Sequence, residues 1–158
     1  MAIEKYTSQQ EFRKISNENK SLRETWEFAF RIPEGFAAIQ KHRDAGHELV
    51  GITATSDFIT APIFREFGIS EIIATNAEVV EGKYTGKVIN TPCYQKGKLT
   101  RLDQWLAGRD VSESWAYSDS INDRFLLEYA DHAIAVNPDD RLEALAKEQA
   151  WEIQDWSI

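Results

Sequence analysis

YSDSINDRFLLEYADHAIAVNP, Tyr117–Pro138, sets two aspartates four residues apart between an apolar strand candidate and an amphipathic helix candidate, with a second short apolar run behind them. Short apolar runs joined through helices are the unit of a parallel sheet with crossover connections. In an open parallel sheet, ligands collect beyond the carboxyl ends of the strands. Asp119 falls at such an end, with Asp123 in the first turn of the next helix. Two carboxylates beside helix N-terminal amides suit Mg²⁺, a hard cation that takes carboxylate and water oxygens. A purely local reading is also open, in which Ser120 or Asn122 caps the helix and Asp123 complements its dipole.

The same texture extends to both sides. Upstream, ELVGIT reads as strand, DFITAPIFREFG as helix despite Pro62, and EIIATN as strand. AEVVEGKYTGKVI reads as a small hairpin, GKLTRLDQWLAG as helix and SWAYSD as strand. Downstream, HAIAV reads as strand, PDDRLEALAKEQA as a helix with a solvated charged face, and WEIQDW as a last strand. Pro33 suits the first turn of a helix through EGFAAIQKHRDAG, with Gly46 as its stop. Before it, Phe12, Ile15, Leu22, Trp26, Ala29 and Phe30 recur at helical spacing. There is no repeat, low-complexity tract or flexible linker.

Composition narrows the function classes. The 158 residues, 42% hydrophobic, can bury one respectable core. A formal net charge of −8 repels nucleic acid and anionic lipid surfaces, so an anionic ligand needs a local positive site. The single cysteine, Cys93, rules out an internal disulfide and suits a reducing compartment. No apolar run approaches the length of a membrane span, and MAIEKYTSQQ lacks the layout of a signal peptide. The sequence reads as cytoplasmic.

Two further positions carry suitable chemistry. ELVGIT ends on Thr53, whose hydroxyl, with the amides after it from Ala54 onward, suits a phosphate oxygen ahead of the helix near Asp57. GKL puts Lys98 at the opening of another helix, where an ammonium neutralises a phosphoryl group. Alone, each is a weak signal. The order Thr, Lys, Asp-xxx-Asp is a stronger one.

With those residues in order, the sequence resembles the haloacid-dehalogenase-like (HAD) hydrolases, and within them the phosphoserine-phosphatase-like subfamily IB. The resemblance runs from about Pro33 to Trp156 through HRDAGHELVGITATSDFITAPIFREFGI, EVVEGKYTGKV, GKLTRLDQWL, YSDSINDRFLLEYADHAIAVNPDDRLEALA and AWEI. It implies a three-layer Rossmann-like α/β core with a parallel sheet and a small hairpin over residues 33–158. It also implies that the helical residues 1–32 are the end of a cap. Thr53 matches the hydroxyl that binds the substrate phosphoryl group, with Ala54 beside it. Lys98 matches the lysine that neutralises the phosphoryl oxygens, and Asp119 and Asp123 match the acids that hold Mg²⁺ directly or through water. Asn122 matches a polar residue on the phosphate side of the site. The implied substrate is a small phosphorylated metabolite.

One motif of that family is missing. These phosphatases begin with an apolar strand ending in Asp-x-Asp-x-Thr, where one acid attacks phosphorus and the other moves protons. Here the first aspartate is Asp44, inside a helix, and the nearest imitation is AIEKYTS, with Glu4 and Tyr6 in place of the acids. Glu is a methylene longer than Asp, and a phenol with a pKa near 10 is a poor acid at neutral pH. In the family, that strand lies between those ending in Thr53 and Asp119, and without it two apolar edges invite pairing with another chain. Three explanations compete. The chain is a truncated or split hydrolase completed by an N-terminal segment or by a second copy; it is an inactive Mg²⁺ and phosphate-binding module; or it hydrolyses phosphate through a metal-activated water.

Other conspicuous residues read as structural. His42, His47 and His132 lack metal-ligand spacing, and Cys93 has no catalytic partner near it in sequence. Asp57 reads as a helix N-cap. The tryptophans read as packing residues, with Trp26 the one placed to line a cap-facing pocket.

Overall fold

The computed structural model describes residues 32–156. The expected helix from Phe12 to Phe30, and with it Glu4, Tyr6 and Trp26, lies outside them. The described residues form two compact units, one ending at Pro92 and the other running from Cys93 to Trp156.

The first unit opens with α1, Pro33–Asp44, which has proline at its start, Glu34 in its first turn and Lys41, His42 and Arg43 in its last. Proline needs no amide hydrogen bond there, and charges of these signs complement the helix dipole. Gly46 follows at φ 77°, a conformation that turns the chain away from the helix at no steric cost. Strand β1, Val50–Ser56, pairs in parallel with β2, Glu71–Thr75, through α2, Asp57–Glu66. Gly51 lets the pair close up: a Cβ there would lie 2.6 Å from the Phe64 ring on α2. Helix α2 continues through the buried Pro62, so packing outweighs the hydrogen bond that proline removes.

The expected end of the first strand is corrected. Strand β1 runs past Thr53 to Ser56, although its register with β2 is regular only through Thr53↔Ala74 and then shifts. The apolar alternation fades in Thr53-Ala54-Thr55-Ser56, so the extension leaves no hydrophobic trace. Asp57 is also corrected, because it is the first helical residue and Ser56 holds the cap position. The expected hairpin is present as β3, Ala77–Val80, and β4, Lys83–Val88. Glu81 and Gly82 both have positive φ, 50° and 77°, as a tight two-residue turn between twisted strands requires. A tilted contact between the Phe58 and Tyr84 rings, centroids 4.9 Å apart, ties the hairpin to α2.

The second unit contains α3, Lys96–Leu106; β5, Trp115–Ser118; a 3₁₀ turn, Ile121–Asp123; α4, Arg124–Tyr129; β6, His132–Val136; α5, Asp140–Glu148; and β7, Glu152–Gln154. Its three strands lie parallel in the order β5-β6-β7. Ala133 to Val136 are all buried, the continuous apolar run of a central strand covered on both faces. Leu127 of α4 and Leu142 and Ala146 of α5 are fully buried with Ala116, Ala133 and Ala135. Each such leucine stabilises the fold by about 1.5–3 kcal/mol relative to exposure. This core holds β5 rigidly, and the turn after β5 carries the candidate acids.

Candidate functional site

The turn after β5 is tied down residue by residue. Ser118, the last residue of the strand, donates its hydroxyl to Asp123 Oδ2 at 2.8 Å and accepts from the Ser120 amide at 3.2 Å. The other Asp123 oxygen, Oδ1, lies 2.5 Å from Lys98 Nζ. The two side chains of that ion pair are only 8% and 15% exposed, so the charges screen each other rather than being screened by water. Lys98, in the first turn of α3, thus meets the acid motif through Asp123, a contact that the sequence reading did not foresee. Asp123 sits in the 3₁₀ turn just before α4 rather than in the helix itself, a one-turn correction.

Asn122 is engaged from both ends. Its Nδ2 donates to Ser120 Oγ at 3.2 Å, while its Oδ1 accepts from the Tyr94 hydroxyl at 3.0 Å and from Gln95 Nε2 at 3.4 Å. Gln95 precedes α3 with φ 48° and ψ −122°, a strained backbone for a residue with a Cβ. The Ser120 oxygen also accepts from the Asn122 amide, so the capping reading of Ser120 holds alongside the ion pair.

Asp119 differs from its neighbours. It is exposed, and no hydrogen bond reaches its carboxylate among the described residues. Its backbone carbonyl accepts from the Asp139 amide at 2.8 Å. No group of three or more His, Cys, Asp or Glu residues placed to hold a metal ion converges among the described residues. A free carboxylate beside one already hydrogen-bonded is a donor set that fits Mg²⁺, which keeps several waters and needs only one or two protein carboxylates.

Thr53 and Ala54 belong to the first unit. The Thr53 hydroxyl accepts from the Thr55 amide at 3.1 Å, and Ala54 is exposed. The Asp57 carboxylate accepts from the Phe58 amide at 2.9 Å and from Asn76 Nδ2 at 3.0 Å, so it has structural partners of its own.

Sequence reasoning missed Ser118, Tyr94, Gln95 and the histidine pair. Ser118 left one signal, a hydroxyl placed directly before the strand-end aspartate. The histidines left none: His42 Nδ1 and His47 Nδ1 lie 2.8 Å apart, and His42 is buried. Burial, the neighbouring His47 and then Lys41 push the His42 pKa below its ordinary 6.5. His132 is the surface residue expected, stacked on Trp115 and 2.7 Å from Glu113. Cys93 is buried and forms no disulfide among the described residues.

Residues 5–128 match the family model of the haloacid dehalogenase-like hydrolases. The chain belongs to that family. Among HAD relatives, it is 44% identical to a histidinol-phosphatase of Neisseria meningitidis, over 73% of this chain and 54% of that protein. It is 38% identical to phosphoserine phosphatase SerB1 of Mycobacterium tuberculosis, over 75% of this chain and 39% of that protein. The chain thus spans about half, or less, of the length of these curated relatives. A crystal structure of a protein with unknown function from Bordetella pertussis Tohama I superposes with a TM-score of 0.75 at 34% identity, covering 95% of this chain and 75% of that one. A phosphoserine phosphatase in a phospho-aspartyl intermediate analogue form superposes with a TM-score of 0.58 at 20% identity, covering 76% and 56%. That second likeness is one of fold, and it agrees with the α/β architecture of parallel strands and crossover helices.

Proposed function

We propose that the chain is the α/β part of a Mg²⁺-dependent HAD phosphatase of small phosphorylated metabolites, whose nucleophilic aspartate comes from a segment outside these 158 residues. The observation that carries this reading is the Lys98–Asp123 ion pair, braced by Ser118, beside an unbonded Asp119. In this reading Asp119 and Asp123 would hold Mg²⁺, directly or through water. Bound Mg²⁺ would offset the charge of the phosphoryl oxygens. Lys98 would neutralise the same oxygens and Asn122 would orient the phosphate side; in the first unit, Thr53 and Ala54 keep the family's phosphate-binding positions by sequence. The activities for which the relatives are named, histidinol-phosphatase and phosphoserine phosphatase, support a phosphomonoester of a small amino-acid-like metabolite. The net charge of −8 supports a small ligand over nucleic acid or an anionic membrane. No described helix is long and apolar enough to cross a membrane, and the lone cysteine supports a cytoplasmic setting.

The absence of Asp-x-Asp among the 158 residues also favours a second reading, a catalytically silent Mg²⁺ and phosphate-binding module. One assay separates the two. Phosphate release from an aryl phosphate is measured with Mg²⁺, for the chain alone and with an added segment bearing Asp-x-Asp-x-Thr, each beside Asp119→Asn. Release only with the added segment, lost in Asp119→Asn, is the expected result. Release by the chain alone would mean a self-contained hydrolase, through metal-activated water or a second copy in a homo-oligomer. No release in either case, with Mg²⁺ and inorganic phosphate still bound, would establish the silent module.

A further inference from the structure

Asp139 lies in the stretch that reads from sequence as a solvated helix face, yet its carboxylate is among the most heavily used in the second unit. Its Oδ1 accepts from the Arg141 amide at 3.1 Å and from the Leu142 amide at 2.9 Å, capping α5. Its Oδ2 accepts from the Ile121 amide at 2.9 Å, inside the acid turn. The Asp139 amide donates to the Asp119 carbonyl at 2.8 Å, so backbone and side chain both grip the same turn. Helix capping needs one acceptor oxygen, and serine or asparagine serves as well. Only a carboxylate offers two acceptor oxygens to two sets of amides on opposite sides.

We propose that Asp139 is a positioning residue for the metal-holding turn Asp119–Asp123, locking it to the N-terminus of α5. The proposal rests on the Mg²⁺ reading above for its consequence, and on the four contacts for its mechanism. Groups that orient metal ligands from behind are commonly worth about 10–100-fold in metal affinity. Asp139 acts through the backbone of the turn, so about tenfold is the effect to expect here.

The substitution that isolates this role is Asp139→Asn. Its Oδ1 still caps α5, but its amide group faces the Ile121 N–H donor to donor, which opens the clamp. A second variant, Ala146→Gly, weakens α5 at a fully buried position without touching the turn. Mg²⁺ affinity by titration calorimetry and amide hydrogen exchange at Ile121, Arg141 and Leu142 are measured on all three proteins. The proposal predicts Mg²⁺ binding about tenfold weaker in Asp139→Asn, with faster exchange at Ile121 alone, and affinity retained in Ala146→Gly. Unchanged Ile121 exchange in Asp139→Asn overturns the clamp, as does equal Mg²⁺ affinity, or an equal loss in Ala146→Gly. If the wild-type chain binds no Mg²⁺, the metal reading fails by itself, while selective exposure of Ile121 still supports the clamp.

Discussion

The end of β1 and the turn that follows β5 carry the two halves of the family's expected chemistry, and they are built differently. After β5, Ser118, Ser120, Asn122 and Asp123 each hold at least one side-chain hydrogen bond or ion pair, and only the Asp119 carboxylate is left open. Within the last residues of β1, the Thr53 hydroxyl holds one local bond to the Thr55 amide, and Ala54 and Thr55 are exposed. The acid turn is therefore organised before any ligand arrives, because a fixed core and a buried ion pair dictate its conformation. The hydroxyl segment depends on a pleat that has already slipped register at its end. Side-chain contacts are concentrated around the acidic residues, and the Thr53 hydroxyl keeps one local bond.

Four substitutions and one titration can break or sharpen this contrast. The largest effect belongs to Lys98→Met, which strands the Asp123 carboxylate at 15% exposure and should cost about 3–5 kcal/mol in denaturant unfolding. Ser118→Ala removes a hydrogen bond to a charged acceptor and should cost about 1.5–3 kcal/mol by the same method. Gly51→Ala drives a Cβ into the Phe64 ring and should cost about 1–3 kcal/mol, which locates the rigidity of the first unit in its strand–helix packing. Thr53→Val removes one exposed local bond, and its cost should be about 1 kcal/mol or less. A Thr53→Val penalty as large as that of Ser118→Ala would erase the difference between the two segments.

The weakest lever is acid, acting through His42 in the first unit. Its pKa is lowered in the fold, so the unfolded chain binds the proton more readily. The stability it contributes is complete above about pH 6.5 and declines as pH falls through the lower folded value. The geometry explains the sign: with Nδ1 atoms 2.8 Å apart, one ring must accept what the other donates, and a second proton turns that contact donor to donor. Thermal melts between pH 7.5 and 5 should show this slope, and His42→Gln should flatten it.

Much of this architecture is legible in the sequence because it is periodic. HAIAV is β6 residue for residue, and Pro33 and Gly46 bracket α1. Lys98, Asp119 and Asp123 stand out because their order along the chain, after Thr53, matches the order of the family's motifs. What stays hidden depends on atoms meeting across the fold. Asp139 looks like an ordinary capping residue, since nothing in its neighbourhood shows that the second oxygen faces Ile121, 18 positions earlier. The Tyr94–Asn122 contact spans 28 positions and rests on the strained backbone of Gln95, which no propensity would suggest. The extension of β1 to Ser56 is polar, and hydrophobic alternation cannot register it.

The central claim is that the open carboxylate of Asp119, beside the Lys98–Asp123 pair, is a Mg²⁺ site. Titration calorimetry of the purified chain with Mg²⁺, beside Asp119→Asn, tests it most directly. The account predicts one site per chain, lost or weakened at least tenfold in Asp119→Asn while the thermal midpoint is retained. Equal binding by the two proteins, or none by the wild type, would contradict it.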